Sequence, residues 1–258
     1  MKIILHDLPR LGLLLLVSIL ASAAVSSCGG SGGDGFKPGE VVDALPGGIW
    51  EGTVFINDDP FGFEMVAVST DDGEMRGINE VGAIYHAHVN VSGATFSGNI
   101  RVFAEAGTTF SDGSTVTMGD LQGTIVERSE AEGTFILDSG DTGSFVFDYD
   151  DLYERDSSLG LVGGMWVDMS GTVFTVMADG SIFAQDSLGC VYEGQTSIID
   201  AAYDVYDIEA HVTQCGQFDG AYHGLGVLDD VAFEGDNNGL VVIMSNDALG
   251  LVLLLERM

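Results

Sequence analysis

The sequence predicts an all-β protein that consists of two tandem small antiparallel barrels, or barrel-like sandwiches, of about eight strands each. Two observations carry this prediction: strict alternation of apolar and polar residues over short runs, and the return of the same landmarks in the second half of the chain. Of the 258 residues, 46% are hydrophobic, which excludes wholesale disorder despite a formal net charge of −32. The acidic excess excludes nucleic acid as a partner, because phosphate binding needs a basic surface.

Residues 1–27 are predicted to be a signal segment, forming a helix ahead of the barrels. The apolar run at residues 11–25 is shorter than the roughly 20 residues that span a bilayer, and it fits a secretory signal. Residues 25–28, Val-Ser-Ser-Cys, resemble the lipobox of bacterial lipoproteins. This resemblance implies that Cys28 carries acyl chains such as palmitate and begins the mature protein, with residues 28–45 as a Gly-rich tether. The alternative is plain cleavage that leaves Cys28 a free thiol.

The remainder is predicted to contain one domain twice. The sequence Gly-Gly-Ile-Trp at residues 47–50 returns as Gly-Gly-Met-Trp at 163–166. The Asp-Gly dipeptides at 72–73 and 112–113 return 107 positions later, at 179–180 and 219–220. We therefore expect barrels over residues 46–150 and 163–258, a linker over 151–162, and about nine extra residues in the first copy, near residues 57–63.

The alternation is clearest at residues 83–91 and 206–212, where one set of side chains is apolar and the other polar. This pattern indicates strands with one buried and one exposed face. The Asp-Gly dipeptides between such runs indicate hairpin turns, since glycine tolerates positive φ. No helix is expected after the signal segment. Eight short antiparallel strands must close into a barrel or stack as a sandwich, and we favour the barrel.

Cys190 and Cys215 are expected to form a disulfide, because they are the pair that remains when Cys28 is lipidated in an exported chain. Two free thiols and a metal site are the alternatives. Trp50 and Trp166 are expected to fill the closed end of each barrel, and the alternative role is to line a ligand pocket.

Two resemblances bear on the fold. The G-x-W at residues 48–50 and 164–166 resembles the first-strand signature of lipocalin-type barrels, whereas the length of each copy is closer to the barrels of bacterial metalloprotease inhibitors. Residues 153–159 before the second G-x-W, and residues 189–194 followed by a later cysteine, resemble a group of uncharacterised proteobacterial tandem β-barrel lipoproteins. This second resemblance implies an architecture without implying an activity.

His86 and His88 are the best metal candidates, because residues i and i+2 of a strand share one face. Two exposed histidines are the alternative, and a site shared with His211 and His223 is given less weight. No cofactor is expected. Acidic turns at residues 58–59, 71–73, 138–141 and 236–239 lack the ligand spacing of a calcium loop, and Asp, Asn and Gly favour turns for backbone reasons alone.

No catalytic motif is present: the chain lacks a nucleophile elbow, a zinc-protease motif, a P-loop and a dinucleotide fingerprint. We therefore expect a non-enzymatic envelope lipoprotein with a binding or structural role. By analogy with enterobacterial sorting, the absence of Asp after Cys28 places it at the outer membrane. Its partners are the membrane, through the lipid anchor, and an envelope protein or small molecule. The alternatives are a lipocalin-like carrier of a small apolar ligand and a periplasmic protease inhibitor.

Overall fold

A computed structural model describes residues 42–57, 59–230 and 237–258, and within them the chain forms two closed antiparallel barrels of eight strands each. The predicted fold class is confirmed. Cys28, the signal segment and most of the tether lie outside the described residues. The strands of the first barrel are β1 (Gly48–Ile56), β2 (Phe63–Ser69), β3 (Glu74–Asn79), β4 (Ile84–Ser92), β5 (Thr95–Phe103), β6 (Val116–Val126), β7 (Glu130–Leu137) and β8 (Thr142–Asp150).

The second barrel has the same order of strands. Each strand pairs with the next along the chain, and the last strand pairs with the first, as in the first barrel. Its strands are β9 (Gly164–Asp168), β10 (Val173–Val176), β11 (Ser181–Gln185), β12 (Val191–Ile198), β13 (Tyr206–Thr213), β14 (Gly220–Asp229), β15 (Gly239–Ser245) and β16 (Gly250–Arg257).

The repeat seen in the sequence corresponds to equivalent strands. Strands β3 and β11 begin 107 positions apart, and so do β4 and β12. The extra residues of the first copy lengthen its first hairpin, since β1 and β2 have 9 and 7 residues where β9 and β10 have 5 and 4. The Asp-Gly turns close hairpins at Gly73 and Gly180, both at positive φ, whereas Gly220 is already the first residue of β14.

The expectation of no helix was wrong for three short segments: a 3-10 helix at Asp151–Glu154, α1 at Leu159–Val162 and a 3-10 helix at Gly216–Phe218. Side-chain caps explain the first two. The carboxylate of Asp150 accepts the N–H of Leu152 at 2.9 Å, and the hydroxyl of Ser158 accepts the N–H of Leu161 at 3.2 Å. Such caps satisfy backbone donors that a helix start leaves open.

Both barrel interiors are filled by side chains. In the first barrel the ring of Phe145 lies 5.0 Å from that of Phe147 and 6.2 Å from that of Phe96, measured between centroids. Glycine makes room for these rings, since a Cβ atom on Gly133 would lie 2.6 Å from Phe145. The second barrel is filled mainly by aliphatic side chains around Trp166. Interlocked packing of this kind forms a solid core rather than a hollow one.

The two barrels pack against each other through outward-facing apolar side chains. One cluster contains Ile49 and Val68 from the first barrel and Leu225 and Val227 from the second. A second cluster joins residues at the start of β4, the end of β5 and the middle of β15. Beside these clusters, the fully packed contact gives way to an open cleft.

Candidate binding site between the two barrels

A cleft of about 700 Å³ lies between the barrels, next to their apolar contact. Its first wall is the outer face of β3, β4 and β5. On this face Arg76 lies opposite His86, and His86 lies opposite Arg101, so that three nitrogen-rich side chains form one row across neighbouring strands. The alternation of the strands explains the row, because Tyr85 and Ala87, next to His86, point into the core.

The second wall is the outer face of strands in the second barrel, and it is rich in carboxylates and imidazoles. Its carboxylates and imidazoles come from β12, β13 and β14 and from the turn after β15. They are Glu193, Glu209, His211, His223 and Asp247.

An ionic network joins the two walls at the base of the cleft. The guanidinium of Arg76, 1% exposed, lies 2.6 Å from the carboxylate of Glu74, measured from Nη2 to Oε1. Its Nη2 also lies 3.4 Å from Nδ1 of His223, whose Nε2 lies 2.6 Å from the carboxylate of Asp207. Burial lowers the pKa of Arg76, and the neighbouring Glu74 carboxylate opposes that shift.

His86 is neutral at pH 7. Burial is the main cause that lowers its pKa to about 4, and the positive charges of Arg76 and Arg101 add to the effect. Its Nδ1 lies 3.4 Å from the hydroxyl oxygen of Ser245 on the opposite wall. In the cleft this imidazole therefore offers hydrogen-bonding atoms without adding charge.

The mouth of the cleft holds a weaker ion pair. Nη1 of Arg101 lies 2.9 Å from the carboxylate of Asp247, and the two side chains are 25% and 97% exposed. On the second wall, Glu193 and Glu209 are exposed and form no ion pair within the described part of the chain. The mouth therefore presents an accessible guanidinium on one side and two unpaired carboxylates on the other.

The histidines come together more than the sequence indicated, since His86, His211 and His223 all border the cleft. His88 shares the outer face of β4 with His86, as predicted, but it is exposed and does not line the cleft. No third ligand joins His86 and His88 in the described residues, where only one set of three metal-binding side chains converges.

That converging set is Asp186, Cys190 and Cys215, whose ligand atoms lie within 4.8 Å of one another. The two sulfur atoms form the predicted disulfide, with the Cα atoms 4.6 Å apart. A disulfide offers no thiolate to a metal, so the arrangement is a covalent link between the start of β12 and the end of β13. The prediction of a disulfide between these cysteines is confirmed.

The two tryptophans have protein partners. The indole N–H of Trp50, which is buried where β1 begins, donates to the hydroxyl of Ser69 at 2.9 Å. The indole N–H of Trp166 donates to the carbonyl of Val162 at 2.8 Å, so that α1 covers this end of the second barrel. The guanidinium of Arg257 lies 4.3 Å from the centre of the Trp166 ring, a contact that sequence reasoning missed. These contacts favour a structural role over a ligand pocket.

One acidic turn has a clear structural explanation. The carboxylate of Asp141 accepts hydrogen bonds from the hydroxyl of Ser111, from the backbone N–H of the same residue at 3.1 Å, from the amide of Asn57 at 2.6 Å and from the hydroxyl of Ser139 at 2.9 Å. These donors hold the pKa of Asp141 well below its usual range. They join three loops at one end of the first barrel. The turns at residues 58–59 and 236–239 lie partly outside the described residues.

A second groove of about 690 Å³ crosses the outer face of β4 to β8. Its lining is mainly Ser, Thr, Asn and Gln side chains, and Glu132 is its one charged residue. The cleft between the barrels is therefore the stronger candidate, since it combines charged groups of both signs from two domains.

No protein-family model, curated protein or solved structure matches this chain with significant similarity. None of the helices in the described residues has the length and apolar character needed to cross a bilayer.

Proposed function

We propose that this chain is a non-catalytic, lipid-anchored envelope protein that binds a small polar ligand in the cleft between its barrels. The carrying observation is that both barrel interiors are filled by side chains, while the cleft gathers polar groups from both domains. A filled interior leaves no room for the ligand of a lipocalin-like carrier, which supports binding outside the barrels. No described feature favours a protease inhibitor.

The neighbours of the His223 ring support ligand binding, rather than catalysis, as the role of the cleft. A general base needs a ring nitrogen within hydrogen-bonding reach of its substrate. Here Nε2 faces Asp207 at 2.6 Å, and Nδ1 faces Glu74 and Arg76 at 3.4 Å. Both nitrogens are thus occupied by neighbouring residues at the base of the cleft.

The anchor rests on the lipobox-like sequence at residues 25–28, and the described start of the chain is compatible with a tether. The backbone N–H of Ala44 donates to the carbonyl of Gly93 at 2.9 Å, which fixes the end of the predicted tether to the first barrel. Replacement of Cys28 by Ser is expected to move the protein from the membrane fraction to the soluble fraction, with loss of incorporated palmitate. Unchanged membrane association would contradict the anchor.

Ligand binding is tested by native mass spectrometry of the full lipidated chain, extracted in detergent from its own host. Wild type is expected to keep an additional mass in the range of a small molecule, up to a few hundred daltons. Ala221→Trp, which fills the cleft from the exposed start of β14, is expected to lose that mass. Ala106→Trp, on an exposed loop of the first barrel, is the matched control and keeps it. No bound mass in wild type, or retention in both variants, argues against the cleft.

A further inference from the structure

We propose that the cleft binds a small zwitterion, a molecule with both a carboxylate and an ammonium group, such as an amino acid or a short peptide. The carboxylate binds Arg101 and the ammonium binds Glu209. This inference rests on the proposed function, because it assigns a chemical class to the ligand of the same cleft.

The anion-binding side is Arg101. Four of the five described arginines have buried, bidentate or aromatic partners. Arg101 instead pairs with Asp247, whose side chain is 97% exposed. Exposed pairs of this kind contribute little and exchange readily. A ligand carboxylate can therefore replace Asp247 and form the same charge-assisted hydrogen bonds in a more sheltered position.

The cation-binding side is on β12 and β13. Glu209 and Glu193 point outward from these strands into the cleft, and neither forms an ion pair with another described residue. Gln195 lies opposite Glu209 on the neighbouring strand and adds an amide to the same surface. An ammonium group at this wall meets carboxylates that no guanidinium neutralises.

The opposite charges of the two walls favour a zwitterion over a singly charged ligand. An anion alone is repelled by Glu193, Glu209 and the net charge of −32, whereas a cation alone makes no favourable contact with the accessible guanidinium of Arg101. A zwitterion compensates both walls at once. The volume of about 700 Å³ suits a small molecule, and neutral His86 and Ser245 offer hydrogen bonds between the charged ends.

Three soluble probes with the same four-carbon chain separate the contributions of the carboxylate and the ammonium group to binding: γ-aminobutyrate, butyrate and butylamine. Glycylglycine is added as the shortest peptide. Binding is measured by calorimetry on the full chain in detergent at low ionic strength. The zwitterions are expected to bind about tenfold more tightly than either singly charged analogue, because only they engage both walls.

Charge-removing substitutions identify the partners of each end. Arg101→Gln and Glu209→Gln are each expected to weaken γ-aminobutyrate binding about tenfold or more. Asp247→Asn is expected to tighten it, because the substitution removes the competitor for Arg101, and a folding defect does not produce tighter binding. Glu132→Gln, on the outer face of the first barrel, is the matched control without effect.

Three results would overturn the proposal that the ligand is a zwitterion. They are equal binding of butylamine and γ-aminobutyrate, weaker binding in Asp247→Asn, and failure of every zwitterionic probe to bind. If the native bound mass is still lost in Ala221→Trp in such a case, the cleft remains the binding site and only the ligand class is wrong. If wild type carries no bound mass, the proposed function fails as well.

Discussion

Asp204 is expected to make the protein less stable as the pH rises from mildly acidic to mildly basic. Its side chain is 0% exposed at the junction of the barrels. Oδ2 accepts the N–H of Leu228 at 3.1 Å, but Oδ1 has no hydrogen-bond partner among the described residues. Burial is the main cause that raises its pKa from 3.8 to about 7, with Asp229 and Asp230 adding to the rise and Arg155 opposing it.

The direction and size of this effect of pH on stability follow from proton linkage. A carboxyl whose pKa is raised by folding stabilises the folded state fully below 3.8, and this stabilisation is lost as the pH rises through 7. Each pKa unit corresponds to about 1.4 kcal/mol, so the whole effect is about 4 kcal/mol and the part between pH 5 and pH 8 is about 3 kcal/mol. Asp204→Asn removes the titration, at a cost of about 1–3 kcal/mol for a buried amide without a full set of partners.

His86 acts in the opposite direction. Its pKa falls from 6.5 to about 4 on folding, so its contribution to stability is complete above 6.5 and is lost as the pH falls through 4. Between pH 4 and 6.5 the contributions of Asp204 and His86 therefore oppose each other in the wild type. Removing Asp204 leaves the His86 contribution unopposed, and the variant is expected to lose stability on acidification in this range.

The measurement is urea unfolding of wild type and Asp204→Asn at several pH values from 5 to 8, with the disulfide intact. The difference in unfolding free energy is expected to shift by about 3 kcal/mol in favour of the variant as the pH rises. Asp156→Asn, at an exposed linker position, is the control and keeps a constant difference from wild type. A pH-independent difference for Asp204→Asn would show that the carboxyl is ionised throughout and refute the reasoning.

Two further predictions concern the second barrel. Reduction of Cys190–Cys215, which are separated by 25 positions, is expected to lower its unfolding free energy by about 3 kcal/mol in the chain-entropy model, and reductant is expected to leave the double alanine variant unchanged. Arg257→Met removes the guanidinium over Trp166 and its hydrogen bond to the carbonyl of Gly163, at an expected cost of about 2 kcal/mol. A lower thermal midpoint than wild type checks this second prediction, and an unchanged midpoint contradicts it.

The fold was predictable because its determinants are local or repeated. Alternation at residues 83–91 indicated a strand, and β4 occupies Ile84–Ser92. The recurring Asp-Gly dipeptides marked hairpins at Gly73 and Gly180, where the backbone needs positive φ. The short helices were missed because each has only three or four residues, about one turn, which is too little for a helical period to appear in the sequence.

The site was much less predictable, because it depends on contacts between distant parts of the chain. Arg76 occupies an outward position of β3, where alternation predicts exposure, yet it is 1% exposed because the second barrel covers it. His86 and Ser245 are separated by 159 positions and meet only when the barrels pack. No pattern within either copy shows which outer face of a barrel contacts the other barrel. The sequence therefore indicated the histidines as candidate site residues but did not predict the cleft.

The contact between the barrels is heterologous, since different faces of the two copies meet. Leu225 of β14 lies opposite Ile243 of β15, and both are buried against the first barrel. On the outer face of the equivalent strands β6 and β7, Asp120 lies opposite Ile136, and both side chains are exposed. Heterologous contacts can extend into chains, and a charge at position 120 opposes such extension.

Asp120→Leu is therefore expected to cause concentration-dependent association, because it places an exposed apolar pair on β6 and β7, the strands equivalent to those through which the second barrel docks. Sedimentation velocity of the detergent-solubilised chain is expected to show a rise in sedimentation coefficient with concentration that is steeper than in wild type. Asp120→Asn removes the charge without adding an apolar side chain and is expected to stay close to wild type. If both variants associate equally, loss of the charge at position 120 is enough to cause association. The argument that an apolar pair on β6 and β7 is required would then be wrong.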